Sequence, residues 1–271
     1  MRLEARSGYF SEFRETTRDF VAAFNKFPLA ASLAGQDILA RYRGSVLGPW
    51  WITITMGALV LGIGISYSEL FHVAVRELLP YVAMGLVFWG FISSNISEGG
   101  EAFVAGGAIL RQSALPLPLF VIRCMLRNLI NLAHHMVIVV GVLLWFQIFP
   151  GIGILWSLVG LLVVVVNLTW LSLALAMVSA RFRDVPQIVT AVLQFIFFLS
   201  PIFWQPSGGL VRSPLVTKNP FYFGVQLVRE PLLKGTIHFE YLSALLSLGA
   251  VGWVATLMLY NQTRRRVVHY L

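Results

Sequence analysis

Charge is scarce in this chain of 271 residues: Asp, Glu, Lys and Arg together make up 12%, against roughly a quarter in a soluble domain. So few charges could not cover a globular surface of this size, and 58% of the residues are hydrophobic. A soluble enzyme is excluded in favour of a membrane protein. Lysine is rarer still. Lys26, Lys218 and Lys234 are the whole set, and none closes a G-x-x-x-x-G-K-[ST] loop, so the chain cannot cradle ATP phosphates in the Walker manner. The single cysteine, Cys124, rules out an intrachain disulfide. Of five histidines only His134 and His135 are neighbours, and none has a cysteine or carboxylate at metal-ligand spacing. No serine sits in a G-x-S-x-G elbow. Carboxylates are missing from the centres of the apolar runs, Glu69, Glu98 and Glu101 lying near their ends, which argues against proton or sodium coupling. No metal, cofactor or catalytic cluster is therefore expected, and work done by this chain must come from a partner.

What is present is a series of apolar runs. A bilayer core needs about 20 apolar residues per helix, and six runs qualify or nearly so: 50–70, 79–97, 119–149, 152–180, the shorter 187–204, and 241–260. The net charge of +8 flanks these runs rather than forming a soluble patch, so nucleic acid is not an expected partner. With both termini in the cytosol, 15 of the 20 Lys and Arg fall on the cytosolic side, as the positive-inside rule requires. The first 26 residues are polar and mixed in charge, without the apolar core of a signal peptide.

The reading is thus an all-α integral membrane protein in three parts. Residues 1–48 form a cytosolic amphipathic and interface segment. Residues 49–264 form a six-helix transmembrane domain, and 265–271 a cytosolic tail. Within the first part, Phe10, Phe13, Thr17, Phe20, Val21, Phe24 and Phe27 recur at helical spacing, with Glu12, Glu15, Arg18, Asp19 and Lys26 largely on other faces. That pattern predicts a helix lying on the membrane surface. Between the last two spans, about 205–238 is broken by Pro206, Pro214, Pro220 and Pro231, too interrupted to cross and too apolar for an ordinary loop. Re-entrant helices in the outer face are expected there.

Four stretches carry candidate function. In Asp37–Trp51 a basic segment runs into two tryptophans. Asp37 and Arg41 stand at the favourable i, i+4 spacing for an ion pair, and Gly48-Pro49 is expected to interrupt the helix as the chain turns into the bilayer. Its arginines, Arg41 and Arg43, have two readings, lipid-headgroup anchoring and contact with a substrate phosphate. The connection from Glu98 to Pro118, which holds Glu101 and Arg111, is either a plain connector or a helix docking into a cytosolic partner. Along the third span Arg123, Arg127, Asn131 and His134 share one stripe. They either hydrogen-bond between helices, with snorkelling arginines, or form a channel wall or phosphate entrance. An aromatic cluster that includes Phe198, Trp204, Phe221 and Tyr222 reads as packing and interface belt, or as flat faces over which a sugar chain slides.

The D-I-x-x-R-Y-R-x-S-x-L-G-P-x-W run from Asp37 to Trp51 resembles the N-terminal signature of ABC-2-type permeases that export bacterial polysaccharides, the O-antigen branch most of all. Leu115-Pro116, Asn219-Pro220 and Arg229-Glu230 follow in the order of that family. The resemblance implies a homodimer in the bacterial inner membrane, with two copies of a separate nucleotide-binding subunit that would hold ATP and Mg. It implies a shared channel for polysaccharide carried on undecaprenyl pyrophosphate. Asp37, Arg41, Arg43, Glu101 and Arg111 become ATPase-coupling candidates. Arg41, Arg43, Arg123, Arg127, Asn131 and His134 become pyrophosphate or channel candidates, and Phe198, Trp204, Phe221 and Tyr222 glycan-path candidates. Capsular polysaccharide, teichoic acid or small hydrophobic molecules are alternative cargoes.

Overall fold

The computed structural model describes residues 2–206 and 213–270, with side chains from Arg14 onward save those of residues 215 and 268. Among them, every regular element is a helix. Five helices are long and apolar enough to cross a membrane: α3 (Trp50–Phe71), α4 (Val75–Gly100), α7 (Pro118–Trp145), α8 (Gly153–Arg181) and α12 (Phe239–Tyr270). This is the build of a multi-pass membrane protein. The remaining elements are α1 (Arg2–Asn25), α2 (Phe27–Arg41), α5 (Ala102–Ala105), α6 (Gly107–Gln112), α9 (Val185–Leu199), α10 (Pro214–Thr217) and α11 (Pro220–Lys234).

Helix α4 is the axis of the bundle. It touches α3, α7, α8, α9 and α11, and 72% of its most apolar window is buried, against 17% for α3. The sequence explains the difference. Along α4, Leu79, Val82, Ala83, Leu86, Val87 and Phe91 offer apolar contact on every side. By contrast α3 leaves Trp51, Ile54, Leu61, Ile65 and Leu70 exposed, as a lipid-facing or partner-facing helix does. Small residues set the closest approaches. A β-carbon at Gly160 of α8 would overlap the Leu227 carbonyl of α11, and one at Gly85 of α4 would overlap the Ile202 carbonyl. Those two glycines seat α11 and the 200–204 segment in the bundle.

Several expected boundaries move. Helix α2 ends at Arg41, well before Gly48-Pro49, and the chain turns through Gly44 (φ 83°) and Gly48 (φ 55°). Glycine tolerates that left-handed backbone, so proline is not the interrupter. The run expected over 187–204 is helical only to Leu199, because Pro201 drives Ser200 into an extended conformation (ψ 140°). At 15 residues, α9 is about 22 Å long, short of a bilayer core of about 30 Å. The third run stops at Trp145 rather than Phe149, with Gln147 at φ 55°. Helix α12 continues through 265–270 without a break.

The amphipathic helix forms, but its apolar face is shared out. Thr16 and Ala23 are buried, and Phe20 packs edge-on against Trp253 and tilted against Tyr260 of α12. Val21, Phe24 and Phe27 point outward. Charge completes the attachment: Glu15 pairs with Arg264 and Arg265, and Asp19 pairs with Arg264 at 2.9 Å and accepts from Tyr260. The side chains of Phe10, Glu12 and Phe13, and the whole of Arg212, lie outside the described residues.

Candidate functional site: an ion-pair cluster below a hydroxylated groove

Helix α2 reaches α7 through a buried apolar stripe, Ala30, Ala34 and Ile38 at four-residue spacing. That approach delivers Asp37 to two guanidinium groups. Arg123 Nε donates to Asp37 Oδ2 at 2.8 Å and its Nη2 to Oδ1, a two-pronged pair. Arg127 donates through Nη1 to Asp37 at 3.1 Å and through Nη2 to Glu98 at 2.8 Å. Asn128 adds a 3.1 Å bond to the same Glu98 oxygen. Arg41 approaches the other oxygen at 3.5 Å. Three arginines and two carboxylates thus join α2, the end of α4 and the start of α7.

The expected Asp37–Arg41 pair within α2 does not form. Helical i, i+4 pairs contribute only about 0.3–0.5 kcal/mol at a surface, and Asp37 gains a fork from Arg123 instead. Burial alone would raise the Asp37 carboxyl. The hydrogen bonds and charge of Arg123, joined by those of Arg127, outweigh it and hold the group below the usual carboxylate range. Since the side chains of Arg123, Arg127 and Asp37 are each about one-fifth exposed, the cluster is neither a surface pair nor a dry one.

The remaining sequence candidates scatter. Arg43, Glu101 and Arg111 are exposed and stand apart from the cluster. Glu101 sits at the N-cap of α5 and Arg111 in the last turn of α6, two short helices held in the bundle by the fully buried Phe103 and by Leu110. Asn131 is half-buried one turn beyond Arg127, while His134 bonds its own helix at Ile130 and meets the Trp50 ring edge-on. The aromatic candidates divide. Tyr222 is buried against Tyr241 and Phe223, and Phe221 packs on Trp89. Trp204 donates to the Phe198 carbonyl, and Phe198 itself is exposed.

A groove absent from the sequence reading begins at Glu98. It holds about 580 Å³ between α3, α4 and α9. Gly90, Ser93, Ser94 and Ser97 line it from α4, Thr190 and Gln194 from α9. Trp89 and Phe197, 5.9 Å apart, lie at its far end. From Trp89 to Glu98 is about 14 Å of helix. The signal was legible in Gly90-x-x-Ser93-Ser94-x-x-Ser97, one helical face of small hydroxyls inside an apolar run.

Arg229 was also missed as a structural centre. Fully buried, it donates to the carbonyls of Ile202 (3.1 Å) and Pro201 (3.0 Å), to Gln226 Oε1 (2.9 Å) and to the Tyr81 hydroxyl (2.7 Å). It thereby pins the 200–204 segment against α4 and α11. An arginine inside Val-Arg-Glu-Pro-Leu-Leu, amid apolar neighbours, was the available signal.

Comparison with known proteins agrees with this architecture. Residues 29–233 match the family described as ABC-2 type transporter. The chain is 22% identical to the O-antigen export system permease protein RfbA of Klebsiella pneumoniae over 90% of its length and 95% of the relative's. It is 27% identical to the protein of the same name from Myxococcus xanthus, over 71% and 75%.

Proposed function

The chain belongs to the ABC-2 type transporter family, and on that premise we propose that it is the membrane subunit of an ATP-driven exporter of undecaprenyl-pyrophosphate-linked polysaccharide, most closely O-antigen, across the bacterial inner membrane. The observation that carries the cargo is the groove. Serine and threonine hydroxyls with a glutamine offer exchangeable hydrogen bonds, and aromatic faces offer contact without fixed stops. A small hydrophobic cargo would need none of these hydroxyls. The names of the relatives, O-antigen export permeases, support the same cargo.

In this reading two copies of the chain face each other across the groove. The unpartnered apolar faces of α3 and α9 support that: Leu59, Ile188, Val192 and Phe195 are exposed beside it. Both termini lie in the cytosol, α9 with the 200–204 segment supplies a sixth crossing, and α10 and α11 are re-entrant. A separate nucleotide-binding subunit, two copies per dimer, docks on α2 and on α5–α6. It holds ATP and Mg, and its movement reaches the bundle through the Asp37–Arg123–Arg127–Glu98 cluster. The same cluster carries one positive charge beyond its carboxylates, so the lipid pyrophosphate competes with Glu98 for Arg41 and Arg127 as it enters.

The test uses the purified chain with its cognate ATPase in nanodiscs. Hydrolysis responds to added lipid-linked glycan, and a strain lacking the chain accumulates that lipid on the cytosolic side. Hydrolysis indifferent to glycan, with no accumulation, sinks the reading.

A further inference from the structure

At the opposite end of α4 from the ion-pair cluster lies a second pocket, of about 540 Å³. From Glu98 to Tyr81 is about 26 Å along the helix, so the two sites share no residue. Its walls come from the first turns of α4, from α11 and from the start of α12, with Gln205 at the rim. Tyr81, Tyr222 and Tyr241 are on the walls, among the acceptors Glu77 and Glu230 and the side chains of Gln226 and His238, which offer both donor and acceptor.

We propose that this pocket binds a saccharide segment of the exported polymer after it leaves the groove. The inference rests on the polysaccharide-export reading above. Sugar recognition requires planar polar groups for hydroxyls beside aromatic carbon for the ring faces, held rigid so that little ordering is lost on binding. The pocket holds both kinds of group: Tyr81 and Tyr241 are half-buried on its walls, each with one ring face packed, by Arg229 and by Phe223. Glu230 is held by Lys234 at 3.0 Å and His238 at 2.9 Å, yet a carboxylate has about four acceptor positions, so further ones remain. Gln226 donates to the Tyr222 hydroxyl at 2.6 Å and accepts from Arg229, leaving an amide N–H and the phenol proton for a ligand. Arg229 itself is buried and spent on protein acceptors. Its part is to hold the frame. The walls carry Glu77 and Glu230 against Arg76, Arg229 and Lys234, so charge does not choose the ligand there and the case for sugar rests on the tyrosines beside the amide and carboxylate groups.

Position links the pocket to the groove. The 200–204 segment is the partition between them. On one side Phe203 packs on Phe197, Phe198 and Tyr67 at the groove's aromatic end. On the other, the carbonyls of Pro201 and Ile202 meet Arg229 beneath the pocket. A chain passing the aromatic end reaches the pocket by crossing five residues.

The experiment is photo-crosslinking in exporting cells, with the full chain and its cognate ATPase. p-Benzoylphenylalanine is placed at Lys234 in the pocket, at Thr190 in the groove, and at the exposed Val251 of α12 as a lipid-facing control. Adducts are read with an antibody to the exported polymer. Lys234 and Thr190 label; Val251 does not. Labelling at Lys234 falls about tenfold when Tyr241→Ala removes one ring face. Glu77→Gln is the second variant should Tyr241→Ala fail to reach the membrane. Labelling at Thr190 with none at Lys234 overturns the pocket and leaves the export reading standing. Labelling at Lys234 unaffected by either folded variant overturns sugar recognition there. Failure at both positions overturns the export reading and the pocket with it.

Discussion

Replacing Asp37 by Asn isolates the charge of the cluster while keeping its shape. The carboxylate accepts three bonds, two from Arg123 and one from Arg127 at 3.1 Å. Hydrogen bonds to charged groups contribute about 1.5–3 kcal/mol each, but three such values cannot be summed, because they share one ion's desolvation. Two limits bracket the result. Exposed pairs contribute about 0–1 kcal/mol, and removing one partner of a fully buried pair costs about 3–5 kcal/mol. With roughly one-fifth of each side chain exposed, the loss should fall between, at about 2 kcal/mol. Asparagine with its oxygen in the Oδ2 place keeps the bonds from Arg123 Nε and Arg127, but it loses the charge and turns an amide N–H toward Arg123 Nη2.

The assay is a double-mutant cycle of Asp37→Asn with Arg123→Gln, following chemical unfolding of the purified chain in detergent and glycan-stimulated hydrolysis with the cognate ATPase. A coupling of about 2 kcal/mol corresponds to about thirtyfold in the unfolding constant. Arg43→Gln, at an exposed residue outside the cluster, should be silent in the same cycle. Additive Asp37 and Arg123 variants would refute the cluster as a coupled unit, and an Arg43 variant as harmful as Arg123→Gln would refute its location.

Acid should weaken the same contact. The folded carboxyl of Asp37 is held low, so its stabilisation is complete above the unfolded value of about 3.9 and is lost as pH falls through the folded value. The melting temperature of the parent should therefore drop more steeply below about pH 4 than that of Asp37→Asn. At Gly160, substitution by Val should drive the α11 backbone off α8, since the clashing atom is the Leu227 carbonyl. Overpacking of this kind costs about 1–3 kcal/mol, visible as a smaller monodisperse peak on detergent extraction. Arg229→Leu strands the Ile202 carbonyl, at about 1–3 kcal/mol for an unsatisfied group, while Tyr81 still donates to that of Pro201. Faster amide exchange at Ile202 and Phe203 should follow, and Arg229→Lys, which lacks the planar fork, should not restore protection. Ser94→Trp should fill the groove and stop export with membrane levels unchanged; export at the parental rate would remove the groove from the path.

What the sequence disclosed follows the range of the interactions involved. The long apolar runs announce α3, α4, α7, α8 and α12, because hydrophobic length is a local property. The stop at Leu199 was also local, written in Pro201, though it was read five residues late. Asp37 is the contrary case. Its i, i+4 partner was correct by helix geometry, yet the partners it takes are 86 and 90 residues away, and no local rule ranks a remote fork against a near neighbour. The stripe of Arg123 and Arg127 did signal an inward polar face; what it concealed was that carboxylates from two other helices already occupy it. The groove serines were hidden by their helix, since α4 reads as a uniformly apolar span until α9 is placed beside one of its faces.

These placements tie α4 at both of its ends. At one end Glu98 holds Arg127 and Arg41, so α4 is tied to α7 and to the tip of α2. At the other end the Tyr81 hydroxyl donates to the Pro201 carbonyl at 3.0 Å and accepts from Arg229. Between them the helix is enclosed by α3, α7, α8, α9 and α11, and a close-packed interior yields little under a push. In the proposed export cycle, a displacement of α2 would pass through α4 to the 200–204 segment about 26 Å away. That segment has few bonds of its own. Arg229, Tyr81 and the Ser200–Asn219 contact at 2.7 Å hold it. A shift of α4 would act on those bonds directly, since Tyr81 is on α4 and bonds both Pro201 and Arg229.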